Sequence, residues 1–135
     1  MSEFSLYKNE KLCSRTAIDR LFESGSSIMA YPLRAVYAVA DRPATSPAQF
    51  LITIPKKKVR KAVDRVLMRR RIREAYRLNR TLLRPALEAN GTTVDIAFIY
   101  LSPELKHYEG IEKRMRKILT AIAEKIEKKD TPTAE

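Results

Sequence analysis

Residues 56–80 read KKKVRKAVDRVLMRRRIREAYRLNR, and the rest of the chain is organised around this run. We place it on a wheel of about 100° per residue, with Arg65 at zero. Lys58, Arg69, Arg70, Arg73, Arg77, Arg80 and Arg84 then fall between roughly 20° and 140°. Val63, Leu67, Met68, Ile72, Ala75, Leu78 and Leu82 fall between roughly 160° and 340°. The period predicts a helix over 59–83 with one half against a core and the other carrying a row of guanidinium groups. Two residues break the pattern. Val66, near 100°, is apolar among cations, and Arg71, near 240°, is a cation on the apolar side. Arg71 either snorkels past the core edge or reports a less regular helix. Tyr76, at about 20°, either stacks on a base or ribose or packs against its neighbours.

The charge of the molecule is concentrated here. The 135 residues include 27 Lys+Arg and 16 Asp+Glu, a formal net charge of +11. Thirteen of the basic residues lie between Lys56 and Arg84, with only Asp64 and Glu74 against them. The remainder of the chain is electrically balanced. Arg65, Arg69, Arg73 and Arg77 repeat at i,i+4, where like charges repel by about 0.2–0.5 kcal/mol per pair. A merely solvated helix face would intersperse glutamate. Arginine also outnumbers lysine along the helix itself, and guanidinium forks bind phosphate bidentately and stack on bases. The pattern points to a polyanionic partner, nucleic acid before membrane. Membrane insertion would need large apolar side chains opposite the charges, and that face is required to cover a sheet.

Outward from the helix, LRAVYAVA (33–40) and FLITI (50–54) read as strands. The segment between them, DRPATSPAQ (41–49), reads as an exposed loop joining a hairpin. VDIAFIYL (94–101) is apolar at nearly every position and is expected to be a central strand covered on both faces. Ser14 is a candidate cap for a helix through TAIDRLFES (16–24), with Ile18, Leu21 and Phe22 on one face and Gly25 as its stop. Pro85 and Asn90-Gly91 are expected to close the basic region. Ser102-Pro103 reads as cap and first residue of a last helix, whose apolar positions run from Ile111 to Ile126. Residues 1–13 and 128–135 are expected to be flexible. The reading is one α+β domain, a compact α/β sandwich of order α-β-β-α-β-α with at least three strands. If the strands flanking the basic helix are parallel neighbours, the default crossover between them is right-handed.

Little in the chain suggests protein-side chemistry. His107, the one histidine, sits in LKHYEG without triad or metal spacing. Asp19, Glu23, Asp41, Asp64, Glu74, Asp95 and Glu104 show no paired-carboxylate motif, and no phosphate-binding glycine loop is present. The single cysteine, Cys13, excludes an intrachain disulfide and fits a reducing, cytoplasmic setting. No apolar run approaches the roughly 20 residues that cross a bilayer, so no membrane partner is expected.

The basic run resembles the signature of the bacterial ribonuclease P protein subunit, approximately K-K-x-x-x-x-A-x-x-R-N-R-x-x-R-x-x-R-E-x-x-R. Lys56, Lys57, Ala62, Arg65, Arg70, Arg73, Glu74 and Arg77 fit, and the basic Arg69 is in keeping. The order of an N-terminal helix ending LFESG, a hairpin and the basic helix also fits, so the resemblance spans about residues 6–126. It departs at the centre, where the family's Arg-Asn-Arg is Arg65-Val66-Leu67.

The resemblance implies the protein subunit of a ribonucleoprotein endoribonuclease that removes the 5′ leader of precursor tRNA. The RNA subunit, with magnesium, supplies catalysis, and no cofactor is expected on the protein. The RNA-binding residues would be Lys56, Lys57, Lys58, Arg60, Lys61, Arg65, Arg69, Arg70, Arg73 and Arg77. The partners would be the catalytic RNA and precursor tRNA, with the oligomeric state left open. Phe22 and Tyr37 match aromatic residues of the family's leader cleft, and Ile18 stands where the family often has phenylalanine. The resemblance also implies a left-handed crossover in place of the default. The alternative reading is a general RNA- or ribosome-binding module with no part in tRNA processing. A protein-only nuclease is a third class.

Overall fold

A computed structural model describes residues 15–40 and 48–130. The elements follow in the order α1 (Arg15–Ser24), β1 (Ser26–Ala30), β2 (Leu33–Ala40), β3 (Ala48–Thr53), α2 (Ala62–Asn79), α3 (Arg84–Asn90), β4 (Thr93–Tyr100) and α4 (Tyr108–Asp130). A 3-10 turn, Arg80–Leu82, joins α2 to α3. The proposed Ser14 cap, the loop over 41–47 and the outermost end segments lie outside the described residues.

The four strands pair in the order β1-β2-β4-β3. β4 is buried almost throughout and lies between β2, antiparallel, and β3, parallel. Its largely apolar run, interrupted by Asp95, suits a strand packed on both faces. This overturns one expectation: β2 and β3 do not form a hairpin, because β4 separates them. The hairpin partner of β2 is β1, which turns back through Tyr31-Pro32. β1 reads SSIMA and is mostly exposed. A strand with one neighbour and half a core carries no strong apolar alternation.

Alternation along the strands sorts the core into two layers. Leu33, Ala35 and Tyr37 of β2, Phe50 of β3, and Val94, Ile96, Phe98 and Tyr100 of β4 join the main core. This layer is completed by Met68, Ile72, Ala75 and Tyr76 of α2, Leu87 of α3, and the expected apolar stripe of α4, Ile111 to Ile126. Val36 and Ala97 face the other way and pack under Leu21 of α1, with Ile18, Ala38, Leu51 and Ile99 at the margin.

Gly25 ends α1 through a backbone bond from its N–H to the Leu21 carbonyl at 2.8 Å. Its φ is not positive, so the glycine is required by space. A Cβ there would stand 2.4 Å from the Leu21 oxygen and 2.8 Å from Val36 Cγ1. The left-handed stop belongs instead to Gly91, φ 59°, after α3.

Three helix ends depart from expectation. α2 stops at Asn79, and Pro85 opens α3 rather than closing the region. The last helix begins at Tyr108, so Ser102-Pro103 is not its start. Ser102 Oγ accepts the Glu104 N–H at 3.0 Å and holds a turn of the loop ahead of α4. Residues 128–130, expected to be loose, are helical.

Candidate nucleic-acid interface

The buried residues of α2 are Met68, Ile72, Ala75, Tyr76 and Asn79. They span only about 100° of the wheel, from roughly 280° to 20°. The apolar face is thus narrower and rotated relative to the predicted one. Val63, at its predicted edge, is 72% exposed. Tyr76 lies inside, its ring 4.3 Å from that of Phe50 and 5.7 Å from that of Phe98. It is core and cannot stack on a base. Arg71 resolves as a snorkelling side chain: its guanidinium donates to the Lys106 carbonyl at 2.5 Å and ties the β4–α4 loop to α2.

The other side of the helix carries the cations. Lys56, Lys57, Lys58, Arg60, Lys61, Arg69, Arg70 and Arg73 are all exposed. Among the described residues none of these eight forms a salt bridge. Lys56–Lys58 form a turn between β3 and α2, closed by the Lys58 and Val59 N–H groups on the Pro55 carbonyl. Buried Val59 anchors that turn in the core.

The two remaining predicted contacts are engaged within the protein. Arg65 Nη1 donates to the carbonyls of Val59 at 3.0 Å and Arg60 at 2.8 Å, so this guanidinium braces the loop that displays the lysines. Arg77 grips Glu74 through both forks, Nε to Oε1 at 3.0 Å and Nη2 to Oε2 at 2.5 Å. That hydrogen bond, with the nearby charges of Arg77 and Arg73, holds the Glu74 carboxyl below its usual value despite some desolvation. Arg80 and Arg84, placed on the cationic face by the wheel, leave it because the helix breaks at Asn79. Arg80 is buried, and Arg84 lies 3.8 Å from Glu88. Val66, 52% exposed, sits among the cations as predicted.

Of the cleft residues, Ile18 and Phe22 lie one turn apart on α1, with Phe22 48% exposed. Tyr37 does not join them. It is buried in the main core on the opposite side of the sheet, and burial raises its phenol pKa, partly offset by a hydrogen bond with Ser26. The buried β2 residue on the α1 side is Val36, with Ala38 at its margin. Sequence reasoning missed it, although strict alternation in LRAVYAVA assigns Arg34, Val36 and Ala38 to one face and Tyr37 to the other.

Comparison with known proteins places this arrangement. The family model described as Ribonuclease P matches residues 6–123. The chain belongs to the ribonuclease P protein family. It is 38% identical over 120 residues to the ribonuclease P protein component of Porphyromonas gingivalis, covering 89% of this chain and 88% of that one. It is 32% identical over 128 residues to the ribonuclease P protein component of Chlorobaculum tepidum, covering 85% and 82% of the two chains. The fold matches the RNase P protein of Thermotoga maritima with a TM-score of 0.66 at 18% identity, over 83% of this chain and 96% of that one. The Staphylococcus aureus RNase P protein matches with a TM-score of 0.63 at 17% identity, over 84% and 94%.

As a ribonuclease P protein, the chain is a subunit of the ribonucleoprotein endoribonuclease that matures the 5′ end of tRNA, with catalysis by RNA. No cluster of three or more His, Cys, Asp or Glu suited to a metal exists among the described residues. No described helix is long and apolar enough to cross a membrane.

Proposed function

We propose that the chain binds the catalytic RNA of ribonuclease P through the exposed cations of α2 and its preceding turn, and the 5′ leader of precursor tRNA along the sheet face beside α1. The observation that carries the reading is the set of eight exposed cations, Lys56 to Arg73, that lack a salt-bridge partner among the described residues. A phosphate backbone relieves their mutual repulsion and gains from released counterions. Arg65 contributes by holding the lysine turn open to RNA. The leader meets Phe22, Ile18 and the residues around Val36, while Tyr37 supports the sheet from behind. Magnesium belongs to the RNA, where two polyanions must approach each other, and the protein lowers that repulsion. The setting is the bacterial cytoplasm.

The test is reconstitution with the cognate catalytic RNA and cleavage of precursor tRNA at low magnesium. The protein should raise the rate over RNA alone and should bind precursor tRNA in preference to mature tRNA. Equal affinity for the two would remove the leader from the reading. No gain in cleavage would remove the reading altogether.

A further inference from the structure

A recess of about 400 Å³ opens where the turn before α2 meets the β4–α4 loop. Its lining is Lys57, Lys58, Val59, Arg60, Lys61 and Asp64 on one side and Pro103 and Leu105 on the other. Asp64 falls near 260° on the α2 wheel, about 100° or more from each of the arginines at 0° to 140°. RNA laid along the arginine row therefore does not by itself fill the recess.

Both walls are held in place. Arg65 fastens the carbonyls of Val59 and Arg60. Opposite, the Tyr100 hydroxyl donates to the Glu104 carbonyl and accepts the Lys106 N–H at 3.2 Å. The Arg71 guanidinium takes the Lys106 carbonyl. Tyr100 of β4 and Arg71 of α2 thus fix a loop that presents Pro103 and Leu105 to solvent, Leu105 at 39% exposure. An exposed leucine on a braced loop, facing four cations, is a mixed apolar and cationic surface.

The chemistry selects its occupant. Four cations call for phosphate. The Pro103 and Leu105 lip offers an apolar platform to a flat ring. Asp64 is unsuited to phosphate but accepts from N–H donors on a base edge. The volume is of the size that holds a small ligand. We propose that the recess is a nucleotide subsite, seating one unpaired nucleotide of the bound RNA with its phosphate toward Lys57, Lys58, Arg60 and Lys61 and its base between the Pro103–Leu105 lip and the Asp64 carboxylate. This deepens the RNA-binding reading and rests on it for the source of the nucleotide.

The experiment has two arms on the full chain, wild type and Leu105→Ser, with Lys58→Ala as a comparison. In the first, amide resonances are followed during titration with guanosine 5′-monophosphate and with inorganic phosphate. The nucleotide should shift residues 57–64 together with Leu105 and bind several-fold more tightly than phosphate, and Leu105→Ser should erase that advantage. In the second, affinity for the catalytic RNA is measured against salt. Leu105→Ser should weaken it several-fold at an unchanged salt slope, since an apolar contact releases no counterion. Lys58→Ala should lower the slope by roughly 0.7. Equal binding of nucleotide and phosphate, or no response to Leu105→Ser in the first arm, overturns the subsite. A response in the first arm alone overturns the assignment to RNA and leaves a free-nucleotide site. Failure of the wild type to bind catalytic RNA would instead strike the proposed function, with the nucleotide titration still reporting on the recess.

Discussion

At the scale of single residues, the basic positions divide by what their guanidiniums already hold. Arg69 and Arg73 are exposed and outside any salt bridge among the described residues. Arg69→Ala should therefore weaken binding to the catalytic RNA and lower the salt slope by about 0.7–0.9 for one lost phosphate contact. Arg65→Ala should weaken binding by a second route, because the Val59 and Arg60 carbonyls lose their donor and the lysine turn loosens. Its signature is faster hydrogen exchange in the turn, which Arg69→Ala should not show. Glu74 supplies the opposite test. It holds the Nε and Nη2 groups of Arg77, so Glu74→Gln should weaken that charged grip and steepen the salt dependence. A slope at or below that of wild type would show that Arg77 does not reach phosphate. The same pair sets a pH response. The Glu74 carboxyl lies below its ordinary value of 4.5, so its contribution to stability is present above that value and is lost as pH falls through the lower folded-state pKa. Acid titration of Glu74→Gln should lack this component.

At the scale of elements, legibility followed how much of an element is buried. β4 and the stripe of α4 are buried along their length, and their apolar character was readable directly. The edge strand β3, nowhere fully exposed, was readable too, whereas β1, the other edge strand, is mostly exposed and was not. The pairing of β2 with β4 is a contact between distant segments, and no turn residue encodes it. In α2 the period revealed a two-faced helix but not the angle of its buried arc, because Val63, Leu67 and Leu78 count as apolar whether or not anything covers them. The end of α2 was hidden because it is fixed by tertiary bonds. Buried Asn79 donates to the Ala75 carbonyl at 2.8 Å and to Glu112 at 3.1 Å, and accepts from Arg116 at 3.1 Å. Asn79→Ala should cost about 1–3 kcal/mol by stranding those partners, measured by chemical denaturation. Tyr76→Ala should cost more, about 3–5 kcal/mol, because it empties the ring cluster with Phe50 and Phe98. Phosphate binding by the folded fraction should survive both changes.

At the scale of the whole molecule, the sheet separates two tasks. One layer supports the cationic helix, and the other carries α1 over Val36 and Ala97. The charge concentration was legible from the positions of the cations in the sequence, and the choice of face at the cleft was not. Tyr37 and Val36 are adjacent in sequence, yet pleating sends them to opposite layers. The separation predicts that affinities can be changed independently. Phe22→Ala removes an exposed ring from α1 and should reduce the preference for precursor over mature tRNA by about 1–3 kcal/mol, the worth of one stacked base. Affinity for the catalytic RNA should stay unchanged, because α2 packs on β3 and α4 rather than on α1. Arg69→Ala should do the reverse, weakening catalytic-RNA binding while keeping the precursor preference of whatever complex forms. Combined, the two changes should add to within about 0.5 kcal/mol if the sites share no partner. A double variant that departs from additivity by more than this would show that leader and catalytic RNA are read by one continuous surface.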